Sequence, residues 1–257
     1  MLRSLYTGWT GMYTEQKRLD VISNNMANAT TVGYKKEGVT SQSFDDVMTI
    51  KIRDASENWQ QKEIGTMNLG VKIGEVYTDY SQGSITQTDG TYDLAIDGDG
   101  FFVVNVTDSA GTTHESLTRA GSFHITSDGY IVDVDGNHLQ SEAGDLQVSV
   151  DAGEVVIDLD GSVYEDGELV DQILLKDYED YDYLKKYGDT YYRAVDGATE
   201  KDAAGAIRQG WKEQSNVNVV DEMVSMINIT RAYEAGQKVI KSVDSVMELA
   251  VSSVGKV

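Results

Sequence analysis

The last forty residues of the chain carry a repeat that few folds can accommodate. An α-helix with an apolar stripe facing another helix shows steps of three and four residues. That spacing runs without a break through Met226, Ile229, Tyr233, Gly236, Ile240, Val243, Met247, Ala250 and Val254. Asn218 is a suitable N-cap for such a helix. The sequence therefore predicts a C-terminal helix of about 50 Å that needs a partner.

The N-terminus offers that partner. A second series with the same spacing, interrupted by Gln16 and Ser23, runs through Leu2, Leu5, Trp9, Met12, Leu19 and Met26. Asparagines and a glycine follow it, and these residues favour turns and helix exits. The periodicity leaves two interpretations open, which are an ordinary pair of packed helices and a coiled coil made for assembly.

The charge is distributed unevenly between the ends and the middle of the chain. The formal net charge is −22, but residues 1–37 carry +2 and residues 208–257 carry no net charge, so that residues 38–207 carry −24. Near-neutral ends can pack in many copies without strong self-repulsion, whereas an acidic middle favours solvent. Because phosphates demand a basic surface, we expect no nucleic acid among the partners.

Composition excludes several kinds of site and segment. The chain has no cysteine, which excludes disulfides, thiol catalysis and cysteine-bound zinc. No run of about eighteen apolar residues occurs, so we expect no membrane insertion. The first residues lack the apolar segment and the cleavage site of a secretory signal, so we expect any export to proceed without a cleaved signal peptide.

The middle of the chain changes from the helical period to a period of two. Short segments with this pattern predict strands at residues 71–73, 94–96, 101–106, 123–125, 131–134, 148–150, 155–159 and 173–175. Eight Asp-Gly dipeptides lie among them, and Asp-Gly suits tight turns. No helical pattern alternates with these strands, so we expect an antiparallel all-β centre.

Together these patterns predict an α+β fold, in which long N- and C-terminal helices form a coiled coil and bracket the β centre. We expect four segments. They are an N-terminal assembly helix with its exit (1–37), an extended connection (38–70), an acidic β domain (71–207) and a C-terminal assembly helix (208–257). Residues 44–52 fit a short helix or a strand, and both assignments remain open.

A search for catalytic and metal-binding patterns finds little. The Asp-Gly loops fail the EF-hand pattern, because the position that needs glycine is Phe102 when counted from Asp97 and His138 when counted from Asp133. No nucleophile elbow surrounds Ser122, and the chain has no phosphate-binding loop. The residues therefore indicate no catalytic, cofactor or metal site.

A group of tyrosines leaves an alternative function open. They are Tyr178, Tyr181, Tyr183, Tyr187, Tyr191 and Tyr192. Aromatic rings can stack on sugars, so the alternative is an acidic extracellular β-domain protein that binds or acts on carbohydrate. A surface binding module of the adhesin type is a related alternative. The competing interpretation is a strand-turn-strand with amphipathic tyrosines at a surface.

Four motifs in a fixed order resemble those of bacterial flagellar rod and hook proteins. They occupy residues 24–35, residues 92–103, residues 117–130 and residues 209–235. The residues that carry the resemblance are Asn24, Asn25, Ala27, Asn28, Gly33, Tyr34 and Lys35, then Asp97, Gly98, Gly100, Phe101 and Phe102, then Arg119, Gly121, Ser122 and Phe123, and finally Ser215, Asn216, Asn218, Arg231 and Glu234. One departure is Thr91, which stands where the family usually has proline.

The resemblance implies a structural subunit of the flagellar basal-body rod, without enzyme activity or cofactor. The family's terminal helices pair as a coiled coil, stack in the axial filament and leave the β domain outside. Its subunits pass through the flagellar type III export apparatus and assemble with copies of themselves and with other rod and hook proteins. The chain length fits a proximal or distal rod protein, and residues 67–74 resemble the distal rod protein more closely.

Overall fold

The chain divides into two compact units. The computed structural model describes residues 2–51, 62–107, 111–150 and 154–254, and for residues 2, 51, 62 and 254 it describes the backbone alone. Unit 1 comprises Met1–Met26, Glu37–Thr78 and Asn218–Val257, and unit 2 comprises Ala27–Lys36 and Asp79–Val217.

Unit 1 contains the two predicted terminal helices, which are confirmed. Helix α1 spans Leu2–Ala27 and helix α2 spans Val219–Val254. Asn218 caps α2, since its Oδ1 accepts a hydrogen bond from the backbone N–H of Val220 at 3.1 Å. Within the described residues, neither helix is long and apolar enough to cross a membrane.

The strands of unit 1 form two antiparallel pairs. Their bounds are β1 Glu37–Ser43, β2 Val47–Lys51, β3 Lys62–Met67 and β4 Val71–Thr78. β1 pairs with β4, and β2 pairs with β3. Strand β2 settles the open assignment of residues 44–52 in favour of a strand, although residue 52 itself lies outside the described residues.

Unit 2 is built from short strands. Their bounds are β5 Ile85–Gln87, β6 Leu94–Asp97, β7 Phe101–Thr107, β8 Thr113–Thr118, β9 His124–Ile125, β10 Ile131–Val132, β11 His138–Leu139, β12 Val155–Ile157, β13 Ser162–Glu165, β14 Glu168–Gln172, β15 Leu175–Tyr178, β16 Leu184–Tyr187, β17 Tyr191–Ala194, β18 Glu200–Lys201, β19 Ala206–Gln209 and β20 Trp211–Glu213. A 3₁₀ helix at Tyr181–Tyr183 precedes β16.

All strand pairings in the described part of unit 2 are antiparallel, as predicted. The largest sheet has the order β16-β17-β8-β7-β11-β10-β9, and β15 joins it by pairing with β7 and β18. Strands β12, β13 and β14 form a separate sheet. Strand β6 pairs with β19 and β5 pairs with β20, so the two chain ends of unit 2 are held to each other.

Strand β7 is buried on both faces. Phe102 and Val104 belong to one apolar cluster, whereas Phe101 and Val103 belong to another. Successive side chains of a strand point to opposite faces, so a strand with two covered faces reads as a continuous apolar run. This explains why residues 101–104 are all apolar.

The segments around the predicted strand at 148–150 differ from the expectation. The described residues around this segment form a turn and isolated bridges instead of a strand. The N–H of Val148 donates a hydrogen bond to the Gly129 carbonyl at 2.8 Å. Gly129 follows Asp128 and adopts a φ of 86°. That conformation is open to glycine because it has no Cβ. Residues 148–150 therefore contact the backbone of the turn at Gly129 through Val148 instead of pairing as a regular strand.

Candidate assembly interface

Two glycines let α1 and α2 approach closely. A Cβ built on Gly8 would lie 3.3 Å from Cγ1 of Ile240, and a Cβ built on Gly236 would lie 2.6 Å from Cγ of Met12. Residue 8 of α1 lies opposite residue 240 of α2 and residue 12 lies opposite residue 236, so the two helices run antiparallel. Because interiors are close-packed, a side chain at Gly236 would displace Met12 or separate the helices.

The predicted stripe of α2 forms the least exposed side of that helix. Ile229 is buried, and Tyr233 is the most exposed described member at 37%. The other described members are half-buried, and they are Met226, Gly236, Ile240, Val243, Met247 and Ala250. The side chain of Val254 lies outside the described residues. Large apolar residues off the stripe, such as Val220 and Ile227, remain exposed.

The stripe of α1 differs from the predicted one at alternate positions. Leu5, Met12, Leu19 and Met26 are half-buried, and so are Gly8, Glu15 and Ile22, which lie between them. Trp9 is instead 51% exposed, and its ring stacks on Tyr13 with centroids 5.7 Å apart. The close contact of Gly8 with Ile240 leaves no room for an indole between the helices. The side chain of Leu2 lies outside the described residues.

A second face of α1 packs on the strands of unit 1. Thr10 and Thr14 are both buried, and a Cβ on Gly70 would collide with Oγ1 of Thr10. Asn25 is also buried, and its side-chain amide donates to the Glu37 carbonyl at 2.8 Å. Its Oδ1 accepts from the Glu37 N–H at 3.0 Å. Asn25 thereby fixes the point at which β1 begins.

Residues from three of the motif regions meet inside unit 2. We call this cluster, formed by Lys35, Arg119, Glu213 and Asn216, the motif junction. Nζ of Lys35 donates to Oε1 of Glu213 at 2.5 Å and to the Ser81 carbonyl at 2.8 Å. Nη1 of Arg119 donates to Oε2 of Glu213 at 3.3 Å. All three charged side chains are at most 4% exposed.

Glu213 supplies the negative charge of the motif junction. Its Oε1 also accepts a hydrogen bond from the N–H of Gly83 at 2.8 Å. Burial lowers the pKa of Lys35, while the charge and hydrogen bond of Glu213 oppose that shift. The guanidinium of Arg119 lies 5.2 Å from the ring centroid of Phe101. Because an unpaired buried charge is costly, loss of Glu213 would leave two cations without a counter-charge.

Asn216 ties together three stretches of chain in the motif junction. Its Oδ1 accepts from the Lys36 N–H at 2.8 Å, and its Nδ2 donates to the Asp79 carbonyl at 2.8 Å. The N–H of Asp79 in turn donates to the Lys36 carbonyl at 2.8 Å. Lys36, Asp79 and Asn216 all lie at or next to points where the chain enters or leaves unit 2. The motif residues therefore hold these points of unit 2 to one another.

Several other motif residues serve the packing of unit 2. Gly33 adopts a φ of 70° with the backbone of Arg119 and Ala120 directly against it, so that a side chain there would collide. A side chain on Gly121 would meet the carbonyl of Leu94. The rings of Phe102 and Phe123 meet edge to face with centroids 5.4 Å apart.

The remaining motif residues fall into buried, hydrogen-bonded and exposed positions. The buried ones are Tyr34, Phe101 and Gly100. Three motif residues make polar contacts. Oδ1 of Asn28 accepts from the Thr31 hydroxyl at 3.0 Å, and the carboxylate of Asp97 lies 2.6 Å from Arg208. Oγ of Ser215 accepts from the Val217 N–H at 3.2 Å. Ser122 and Gly98 are half-buried, whereas Asn24, Ala27, Arg231 and Glu234 are exposed on the helices.

The tyrosines between residues 178 and 192 do not form one platform. Tyr178 and Tyr192 are buried in the apolar cluster around Phe101, whereas Tyr183 is exposed. The hydroxyl of Tyr191 lies 2.6 Å from carboxylate oxygens of both Asp133 and Asp135. Of the six rings only Tyr183 and Tyr187 are exposed, so most of the tyrosines are not available to a sugar.

Sequence reasoning missed Gly8 and Glu213. Gly8 carried a usable signal, since glycine inside a helix costs about 1 kcal/mol and therefore indicates a close approach. Glu213 carried almost none, because one carboxylate among 43 acidic residues does not stand out.

Comparison with known proteins decides the family. Three family descriptions match: "Flagella basal body rod protein" at residues 5–35, "Flagellar hook protein FlgE/F/G D1 domain" at residues 95–165, and "Flagellar basal body rod FlgEFG protein C-terminal" at residues 208–252. The flagellar basal-body rod protein FlgG of Bacillus subtilis is 36% identical over 98% of this chain and 99% of its own length. The chain belongs to the flagellar basal-body rod family.

Other relatives extend the same result. The flagellar basal-body rod protein FlgF of Caulobacter vibrioides is 32% identical, with full coverage of both chains at 100%. The flagellar hook-basal body complex protein FlhO of Bacillus subtilis is 30% identical, again over 100% of both chains. This rod protein is therefore a structural subunit of the bacterial flagellum rather than an enzyme, and the carbohydrate-acting alternative is wrong.

Proposed function

We propose that this rod protein assembles through its terminal helices, copy upon copy, into the axial drive shaft between the flagellar motor and the hook. One observation carries the proposal. In the described part of unit 1, Ile229 is the single apolar side chain that is buried, although α2 carries an apolar stripe along its length. Removal of apolar surface from water contributes about 25 cal/mol per Å². Neighbouring copies would therefore supply the burial that one copy lacks.

The terminal helices act as a coiled coil in the assembled rod. The antiparallel contacts of Gly8 with Ile240 and of Met12 with Gly236 support this, as does the three-four spacing of the α2 stripe. Contacts between different surfaces of successive copies do not close on themselves, so they generate a filament rather than a ring.

The four sequence segments have separate tasks in this proposal. Residues 1–37 and 208–257 assemble the rod, and residues 38–70 connect the first helix to the β domain. The acidic residues 71–207 form the outer β domain, in which Asp-Gly dipeptides make the turns. The φ of 86° at Gly136 and of 88° at Gly161, each directly after an aspartate, supports that last assignment.

The chain occupies the distal part of the rod in this proposal, because residues 67–74 resemble the distal rod protein most closely. Its partners are copies of itself, other rod and hook proteins and, in transit, the flagellar export apparatus. The N-terminus is kept on export, since its apolar stripe belongs to α1.

Substitution Ile240→Asp tests the proposal. Ile240 is half-buried against Gly8, and assembly would complete its burial. Aspartate removes about 2–3 kcal/mol of apolar burial and leaves a carboxylate without a partner in an apolar contact. In cells that lack their own copy of the gene, we expect export of the variant, no rods in electron micrographs of basal bodies, and no motility.

Tyr183→Ala is the control for that experiment. Tyr183 is exposed in unit 2, so its loss should leave rods and swimming intact. Motile cells that carry Ile240→Asp would contradict assembly through α2.

A further inference from the structure

Three aromatic rings form an exposed ladder on α1. Tyr6, Trp9 and Tyr13 are 44%, 51% and 46% exposed. The ring centroids of Tyr6 and Trp9 lie 6.0 Å apart, and those of Trp9 and Tyr13 lie 5.7 Å apart. Spacings of three and four place the rings on one face of the helix. We call these three residues the aromatic ladder. Large aromatic side chains dominate the energetics of protein interfaces, and contiguous exposed apolar patches mark interaction sites.

Helix α2 continues past the beginning of α1. Gly8 lies opposite Ile240 and Met12 lies opposite Gly236, so the start of α1 at residue 2 falls about opposite residue 246. Residues 247–254 therefore project beyond α1 by about 12 Å. We call them the C-terminal extension. Leu249 and Val251 in it are 64% and 74% exposed.

The two surfaces carry opposite charge. Residues 2–14 of α1 contain Arg3 and no carboxylate. The C-terminal extension contains the exposed Glu248 and no basic residue, and the exposed Asp244 lies one turn before it. Arg3 stands three residues before Tyr6, so it lies next to the aromatic ladder along the helix. Complementary charge favours association of the two surfaces and sets their register.

We propose that the C-terminal extension of one copy docks along the aromatic ladder of the next copy. The occupant is a second copy of this chain. The two end segments are near neutral overall, so copies can pack together without strong repulsion. The two surfaces are both apolar, and the charges beside them are opposite. Each copy offers one ladder and one extension, so the contact is head to tail and propagates without closing. The inference rests on the proposed function, and it adds which surfaces of successive copies meet.

Engineered cysteines test the contact directly, since the chain has no cysteine of its own. Trp9→Cys and Leu249→Cys are introduced on separate copies that are expressed together in cells lacking the native gene, and basal bodies are isolated and mildly oxidised. Residue 9 lies about opposite residue 239 of its own copy, so residue 249 is about 15 Å farther along the helix. A disulfide needs Cα atoms within about 7 Å, which excludes a bridge within one copy.

The expected result is a covalent dimer from the mixed copies, and a series of longer multimers when both cysteines are on every copy. A matched control replaces Leu249→Cys by Leu169→Cys, an equally exposed leucine on β14 of unit 2. It should yield no dimer with Trp9→Cys. A dimer from Trp9→Cys copies alone, without one from the mixed pair, would overturn the proposal in favour of a symmetric contact.

Charge reversal provides an independent test of the register. Arg3→Glu alone and Glu248→Arg alone should each lower the yield of the mixed cross-link about fivefold, and the two changes on the facing copies should restore it. Cross-linking that is indifferent to all three combinations would contradict the assigned register.

Failure of this inference and failure of the proposed function look different. Rods that contain both cysteine variants but give no bridge between residues 9 and 249 would overturn the docking contact and leave the rod function intact. Cells in which the unmodified chain restores no rods would overturn the proposed function, and the contact with it.

Discussion

Units 1 and 2 bury their apolar side chains to very different extents. Unit 2 covers both faces of β7, so that Phe101 and Phe102 are each almost completely removed from water. In the described part of unit 1, burial of apolar residues is confined to Ile229, and exposed rings such as Trp9 remain on its helices. The difference indicates that unit 2 has a complete apolar core, whereas unit 1 leaves apolar surface that neighbouring copies would cover in the proposed rod.

The ion pairs of the described residues show a related contrast, although Glu222 of α2 in unit 1 is also buried. Unit 2 encloses Lys35, Arg119 and Glu213 because its apolar surroundings are complete. Helix α1 instead carries surface pairs such as Lys17 with Asp20, 3.2 Å apart and about half exposed. Such surface pairs contribute little to stability, typically below about 1 kcal/mol. Ion pairs therefore contribute to the stability of unit 2 chiefly where they are buried, and they contribute little on the surface of α1.

Loss of Glu213 should have the largest effect on unit 2. We expect Glu213→Ala to lower its free energy of unfolding by about 3–5 kcal/mol, because Lys35 and Arg119 are then buried without a counter-charge. Urea denaturation followed by circular dichroism measures the change. The exposed Glu168→Ala on β14 is the control and should stay within about 0.5 kcal/mol of the unmodified protein. Equal midpoints for the two variants would mean that the motif junction does not stabilise unit 2.

Two alanine substitutions at helical glycines should affect unit 1 in opposite directions. A methyl group at Gly236 meets Met12, whereas nothing lies within 4 Å of the position at Gly11. Gly11→Ala should stabilise α1 by about 1 kcal/mol through helix propensity. Gly236→Ala gains the same propensity but incurs an overpacking cost of about 1–3 kcal/mol, so we expect a net loss.

Helical ellipticity at 222 nm should therefore rise in Gly11→Ala and fall in Gly236→Ala, while the urea midpoint of unit 2 stays unchanged in both. A rise of ellipticity in both variants would show that the helices do not approach each other closely at Gly236.

The smallest expected effect is a change in how the stability of unit 2 depends on pH above about pH 9. Burial, followed by hydrogen bonds to Asp133 and Asp135, raises the pKa of Tyr191. The folded state thus holds this proton more tightly than the unfolded state. The resulting stability is complete below the ordinary tyrosine pKa of about 10 and is lost as the pH rises above it.

Tyr191→Phe removes that dependence together with the hydrogen bonds. The variant should be less stable than the unmodified protein at pH 7, and its urea midpoint should fall less steeply between pH 9 and pH 11. Parallel curves for the two proteins would contradict a buried, hydrogen-bonded phenol at this position.

Local patterns in the sequence predicted the elements that depend on local periodicity. The stripe from Met226 to Ala250 predicted α2, and the apolar run at residues 101–106 predicted β7, because helix and strand periods are written in neighbouring residues. The same reasoning misjudged Trp9. The heptad rule assigned it to the helix contact, but the neighbouring Gly8 is the residue that touches Ile240.

Long-range partners could not be predicted in this way. Lys35 and Glu213 are separated by 178 positions in sequence, and nothing in the residues around either one names the other. The pairing of β6 with β19 is of the same kind. The four motifs indicated that residues of the motif junction matter, but only the fold shows that three of the motif regions meet there.

Hydrogen exchange of the unassembled chain tests the contrast between the two units most directly. Amides of α2 around Ile240 should exchange through openings that cost at least about 2 kcal/mol less than those of β7 around Phe102, because Ile229 is the single buried apolar side chain in the described part of unit 1. After assembly into rods, the α2 amides should become as protected as those of β7. Equal protection of Ile240 and Phe102 in the unassembled chain would contradict the account.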